Sequence, residues 1–406
     1  MKKIINAIYI ISALFTSSAF SGELSYQKFI DAAHQSALSI IIKETEFEAE
    51  AQRSNAIQYY YVPKIIINSE KVLSGSKEKE LKPNVGVNAN IYNSAQKYKI
   101  SEHDNNLLYL RNAVDIEKRD VTVIMMKNLI GIRLFSKLHS RILELEKAEK
   151  LMTEDIKMQN DSGLIGDSIL KQSQLLSKKI GNEIENVNQQ LDIFETNIKS
   201  VTLKPFPVEG VDLPYSLIDK LIYIKLNGWD VGRNLDLIGL KLQAAMLRDN
   251  ADQQNSLVNV DFVFENKIHN RNSISMKDKY VGLNMSLNLF DLNKISDKKS
   301  RIKTYEAARL KIDAKQAELI NDINKLNYEY NSSINELKGL TEQMELTKGI
   351  LNDFDNEYRI GKVSFYEILN TKYDLVNIER KISNVKLKVI DNRLNVMKVL
   401  NLSFNI

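Results

Sequence analysis

Four histidines, His34, His103, His139 and His269, are the side chains best suited to general-base or metal chemistry near neutral pH. They are scattered along the chain, and none has a partner at ligand spacing. There is no cysteine, so the commonest nucleophile and soft metal ligand is missing. Neither a glycine-rich phosphate loop nor a G-x-S-x-G elbow occurs. The residue types predict no catalytic set, no cofactor and no metal: the chain is not an enzyme.

What the chain does hold is a set of glycines and prolines at telling places. Its five prolines, Pro63, Pro83, Pro205, Pro207 and Pro214, all fall at element boundaries, and none follows residue 214. Such avoidance of helix breakers predicts very long helices. The formal charge of +4 on 406 residues gives no reason to expect a nucleic-acid partner. Residues 1–21 read as a signal peptide: Lys2 and Lys3, an apolar run from Ile4 to Phe15, and small residues to Ser21, with cleavage before Gly22. An exported chain without cysteine has no disulfides to rely on.

The chain also repeats itself. Val85-Gly86-Val87-Asn88-Ala89-Asn90-Ile91-Tyr92-Asn93 returns as Val281-Gly282-Leu283-Asn284-Met285-Ser286-Leu287-Asn288-Leu289-Phe290-Asp291. Gly163 returns as Gly361, and after a one-residue slip Ile169-Leu170 returns as Ile368-Leu369. The starts correspond as well, Leu24-Ser25-Tyr26 with Leu213-Pro214-Tyr215. We therefore expect a first repeat at 22–198, a linker at 199–213 and a second repeat at 214–406. Each repeat reads helix, two strands, long helix, glycine turn, helix.

The strands are expected at 64–72 and 84–92 in the first copy, and at 258–265 and 280–290 in the second. Val85, Val87, Ala89 and Ile91 face one way, and Gly86, Asn88, Asn90 and Tyr92 the other. Apolar residues opposite small polar ones suit transmembrane barrel strands, although a half-buried soluble sheet alternates in the same way. Four strands cannot close a barrel, whereas three chains supply twelve.

From Ala95 to Asn160 a heptad seam runs through Phe135, Leu138, Ile142, Leu145, Met152 and Ile156, broken only at Glu149. The second copy has a cleaner seam: Ile323, Leu326, Tyr330, Leu337, Leu340, Met344, Leu351, Phe354 and Tyr358. Sustained heptads imply a left-handed supercoil against a neighbour. A helix of ~65 residues is roughly 100 Å long, and the helices at 30–61 and 165–198 together match that length. Two other classes share these features, a secreted helical pore-forming toxin and a structural periplasmic coiled coil. A toxin needs only one insertion element, and a rod leaves the strands without purpose.

With its leader, its Leu-Ser-Tyr entry and Val281–Asp291 before the long helix, the chain resembles the TolC family of outer-membrane efflux proteins. The Tyr358-Arg359-Ile360-Gly361-Lys362 turn and the closing Asn392–Leu400 stretch add to the resemblance. Asn293 departs from it, standing where the family usually has glycine, and the second copy lacks a match for Pro63. The resemblance implies a mainly α protein with a membrane β-barrel. A homotrimer would form a twelve-stranded barrel in the outer membrane of a Gram-negative bacterium, continued by a twelve-helix periplasmic tunnel. It also implies a passive exit duct for type I protein secretion or small-molecule efflux. A periplasmic adaptor (membrane fusion) protein and an inner-membrane transporter of ABC or RND type would be its partners, and outer-membrane lipid its surroundings.

By position, the resemblance makes Ser162, Gly163 and Leu164, with Ile360, Gly361 and Lys362, the tips on which an adaptor docks. It places Glu367 and Asn370 at the pore constriction, and Tyr358 where the closed state is held. The residue types alone equally fit plain turns, a solvated helix glutamate and ordinary seam packing. Asn370 leaves Glu367 without the second acidic ring the family often has.

Overall fold

The structure is a computed structural model that describes residues 24–71, 81–205, 210–226, 230–254, 258–267, 279–287 and 291–403. The expected leader at 1–21, His269, and strand residues 72 and 288–290 lie outside the described residues. Each half begins with a two-residue strand, β1 (Leu24–Ser25) and β4 (Val211–Asp212), and the two pair in parallel. In the first half α1 (Tyr26–Ser36), α2 (Leu38–Gln58), β2 (Lys64–Lys71), β3 (Leu81–Asn93), α3 (Gln96–Asp161) and α4 (Asp167–Thr202) follow. In the second, α5 (Tyr215–Tyr223), α6 (Leu235–Gln253), β5 (Val258–Lys267), β6 (Lys279–Leu287), α7 (Leu292–Arg359) and α8 (Phe365–Leu400) follow.

The expected first helix is broken rather than continuous. Ala37 takes an extended conformation between α1 and α2, and residues 59–61 tighten into a 3-10 turn ahead of Pro63. The helix after the first glycine turn runs on to Thr202, four residues into the expected linker, before Leu203 stops it in the left-handed region.

One antiparallel sheet collects the strands in the order β2-β3-β5-β6. The helices repeat that order as columns: α2 and α4 pack on α3, α3 packs on α6 and α8, and both of these pack on α7. The molecule is thus a wall four columns wide, with strands at one end and two hairpin tips at the other. At 1.5 Å per residue, the 66 residues of α3 span roughly 100 Å.

Asn93 and Asp291 mark the strand-to-helix corner in both halves. The Asn93 side chain accepts from Ala95 N at 2.9 Å, and Asp291 accepts from Asn293 N and Lys294 N at 2.9 and 3.2 Å. Each side chain satisfies backbone donors that the first helical turn would leave bare.

The α3 seam is buried as its heptads require: Phe135, Leu138, Ile142, Leu145, Met152 and Ile156 all lie in the core. Glu149 does not interrupt it. Its carboxylate is fully buried and accepts from Thr153 Oγ1, which also meets Ser173 Oγ on α4. The cleaner α7 seam is the less buried one. Only Ile323 and Leu337 of its expected positions are buried, and Tyr358 is exposed, because α7 is an edge column with α6 and α8 along one side only.

Gly131 sits in the middle of α3, where glycine costs helix stability. A Cβ there would stand 2.7 Å from the ring of Phe194, which packs edge-on to Phe135 at 5.6 Å. Glycine therefore lets α4 approach α3. Gly131→Ala should lower thermal stability by about 1–3 kcal/mol through overpacking, against its helix propensity. Adding Phe194→Leu should recover much of that loss in the same melting experiment.

Candidate functional site

Both hairpin tips are built by the same backbone device. Gly163 and Gly361 each have φ of +71°, and nothing lies within 4 Å of where a Cβ would point. In the first tip Gly163 N donates to Asn160 O and Leu164 N to Gln159 O, both at 2.9 Å. In the second, Gly361 N donates to Tyr358 O and Lys362 N to Glu357 O, both at 3.0 Å. This is the paired Schellman closure that glycine's left-handed freedom permits. Ser162, Gly163, Leu164, Ile360, Gly361 and Lys362 are all exposed, with Leu164 at 76% and Ile360 at 66%.

After the glycines the two tips differ. In the first, Asn160 reaches across the turn, donating from Nδ2 to Ile165 O and to Asp167 Oδ1, each at 3.1 Å. In the second, Ser364 and Glu367 form a capping box at the start of α8. Glu367 Oε2 accepts from Ser364 N at 2.7 Å and from Ser364 Oγ at 2.8 Å, while Glu367 N donates to Ser364 Oγ at 3.3 Å. Those donors, the backbone one foremost, hold the Glu367 carboxyl below its usual 4.5. Sequence reasoning missed this box, although its S-x-x-E signal stands in plain view before an apolar run.

Glu367 is exposed on the first turn of α8, and Asn370, one turn on, is half-buried. Tyr358 closes the turn from the α7 side, its ring 5.7 Å from that of Phe365. Tyr358, Glu367 and Asn370 therefore flank one tip, and the first tip carries no carboxylate at the position matching Glu367.

Further from the tips, charged pairs stitch the two hairpins together. Arg380 on α8 meets Glu183 on α4 at 2.6 Å, and the neighbouring Glu379 meets Arg141 on α3. Burial pushes the Glu379 carboxyl up, and the Arg141 guanidinium partly offsets it. Beyond this stitch a cleft opens between α3, α7 and α8, floored by Leu145, Ala148, Leu351, Leu375 and Val376. The closing Asn392–Leu400 stretch is packing: Leu394, Val396, Met397 and Leu400 are buried, and Arg393 stacks 3.1 Å over the Tyr330 ring.

At the other end of the wall, the sheet separates apolar from polar side chains across its two faces. Ile65 and Ile67 line up with Val87 and Val85, then Phe264, Phe262 and Val260, then Val281, Leu283 and Met285. Ile65, Ile67, Val281, Leu283 and Met285 are 59–74% exposed. A bulge after Asn90 skips Ile91 and sets Tyr92 opposite Val260, so Tyr92 joins the apolar row rather than the polar one expected for it.

Residues 231–402 match the family model for outer membrane efflux proteins. That match lies within the chain's second half. A comparison with curated proteins finds no sequence match. The whole chain is similar in fold to three solved outer-membrane channels. The open-state MtrE channel of Neisseria gonorrhoeae shares 12% identity at a TM-score of 0.78, over 94% of this chain and 89% of that one. For the CusC channel the values are 10% and 0.77, over 96% of each chain. For the CmeC channel of Campylobacter jejuni they are 9% and 0.74, over 95% and 90%. Outer membrane efflux proteins are channels and not enzymes. Among the described residues no group of histidines and carboxylates could hold a metal ion. His34 instead bonds Thr122 Oγ1 at 2.8 Å, with its pKa lowered chiefly by burial, and His103 bonds Glu50.

Ser364→Ala removes the cap and should cost about 1 kcal/mol, fraying the first turn of α8 in amide exchange. Because the Glu367 pKa is depressed on folding, its half of the box contributes above the usual 4.5 and is lost as pH falls through the lower, folded value. Amide protection at Ser364, whose N–H donates to that carboxylate, should accordingly persist at pH 5 and fall away in stronger acid.

Proposed function

We propose that three copies of this chain close a twelve-stranded barrel in the outer membrane and a helical tunnel beneath it. That assembly serves as the passive exit duct of a tripartite efflux system. The observation that carries the reading is the sheet. Its four strands of 8, 13, 10 and 9 residues share one apolar face, exposed on β2 and β6 and half-buried at Val85, Val87, Val260, Phe262 and Phe264, and among the described residues both its edges are open. Strands of this length suit a bilayer, and a bilayer tolerates no open sheet edge. Joining β2 of one copy to β6 of the next removes every edge after three copies. The same join sets α7 of one copy beside α2 and α4 of its neighbour, where both edges carry exposed apolar residues such as Ile302 and Ile42.

In this assembly an adaptor docks at the tips, Ser162–Leu164 and Ile360–Lys362, and an inner-membrane transporter supplies the energy. Glu367 faces the bore at the second tip with Asn370 behind it, and Tyr358 packs the closed turn. Three Glu367 carboxylates then share a narrow aqueous passage that attracts cations. Small-molecule efflux is the cargo class supported by the family of the second half. If type I secretion is the cargo instead, deleting the gene would abolish export of a specific protein and leave sensitivity to small toxic molecules unchanged.

The sheet faces supply a first test. Leu283→Lys, on the apolar face, should cost about 2–4 kcal/mol at mid-bilayer and abolish the heat-sensitive trimer in membrane fractions. Asn88→Lys, on the opposite face, should leave that trimer intact, and equal tolerance of both would sink the barrel. The tip supplies a second. Glu367→Gln keeps an acceptor for Ser364 but removes the charge, so block of single channels by multivalent cations from the tip side should weaken at unchanged stability. Block equal to the wild type would remove Glu367 from the constriction.

A further inference from the structure

The polar face of the sheet has an unusual composition. Asn68, Asn84, Asn88, Asn90, Asn259 and Asn284 all stand on it, although asparagine is a poor strand residue. Among its described side chains only Lys64, Asp261 and Glu265 are charged. Asp261 lies in the row Asn90–Asp261–Asn284, three residues into β5 from the helical end. Its two oxygens accept from neutral amides, Oδ1 from Asn90 Nδ2 at 2.9 Å and Oδ2 from Asn259 Nδ2 at 2.7 Å. Asn90 Nδ2 also donates to Asn259 Oδ1 at 2.7 Å, which closes the network.

We propose that Asp261, fixed by Asn90 and Asn259, sets the ionic preference of the duct where barrel meets tunnel. The inference rests on the trimeric duct proposed above, in which this face lines the bore. Amide donors orient the carboxylate without cancelling its charge. Lys64, the one described cation on the face, stands two strands away, opposite Asn88 and not in the Asp261 row. Glu265 adds a like charge further from the helices. Three copies place three oriented carboxylates at one level, in a row whose other described members, Asn90 and Asn284, are neutral amides. A fixed charge on the wall of a wide bore acts over about 10 Å at 0.1 M salt and about 3 Å at 1 M, so its influence is confined to low ionic strength.

The test is the reversal potential of the full-length purified channel in planar bilayers under a potassium chloride gradient. Wild type should prefer cations near 0.1 M, and Asp261→Asn should cut the cation-to-anion permeability ratio about two-fold, with no effect near 1 M. Asn284→Asp, which adds a carboxylate to the same row, should raise the ratio. Glu367→Gln, at the far end of the wall, should weaken multivalent block, and in that background Asp261→Asn should still lower the ratio by about the same factor. The proposal is overturned if Asp261→Asn conducts with an unchanged ratio, or if its effect disappears in the Glu367→Gln background. A wild type without discrete conductance would overturn the duct itself, an outcome distinct from channels of unaltered selectivity.

Discussion

The backbone of β2 and β6 governs this molecule. Each strand pairs along one side only, so each leaves a row of amide and carbonyl groups without a partner among the described residues. In water such edges are a hazard, and in hydrocarbon they are prohibitive. Much else becomes intelligible from that constraint. In the proposed barrel, lipid covers the apolar face that β2 and β6 leave exposed. The four helical columns keep the strand order because each helix continues the strand it adjoins. The seam of α7 is under-buried because α7 is an edge column, the side on which the proposed trimer adds a neighbour.

Duplication explains how one chain makes such a wall, and the differences between its halves show where the copies have specialised. The tip helices α4 and α8 start at 167 and 365 and end at 202 and 400, both pairs displaced by 198. The glycine closures match bond for bond. Beyond the glycines the first tip is tied by Asn160, which donates to the Asp167 carboxylate, and the second by Glu367, whose hydrogen bonds from Ser364 favour its charged form.

Much of the architecture was legible in the residues. Periodicity of two marked the strands, heptads marked the long helices, and Gly163 and Gly361 marked the reversals. What escaped was local chemistry overriding a correct pattern. A bulge after Asn90 moved Tyr92 to the other row, and Ala37 broke a helix with no glycine or proline to announce it. Glu149 counted as a flaw in the seam, because the Thr153 hydroxyl that donates to it is in turn met by Ser173 from a different helix. Glu367 was singled out through resemblance, and its bond to Ser364 was overlooked, although a spacing of three is a local signal. The heptad count also misjudged burial, since periodicity records which face is apolar and not whether the partner belongs to the same chain.

The pairing of β3 with β5 has a consequence for how the protein comes into being. Asn90 and Asn259, neighbours across that pair, are 169 residues apart in the chain. During synthesis the first hairpin of strands and the first hairpin of helices can form from nearby residues alone. Their sheet cannot grow until the second half has been made. Contacts of such long sequence separation form slowly. In the proposed trimer the last joins, between copies, depend on how often three finished chains meet. The abundance of the chain would then govern the yield of that assembly more strongly than the stability of any single helix.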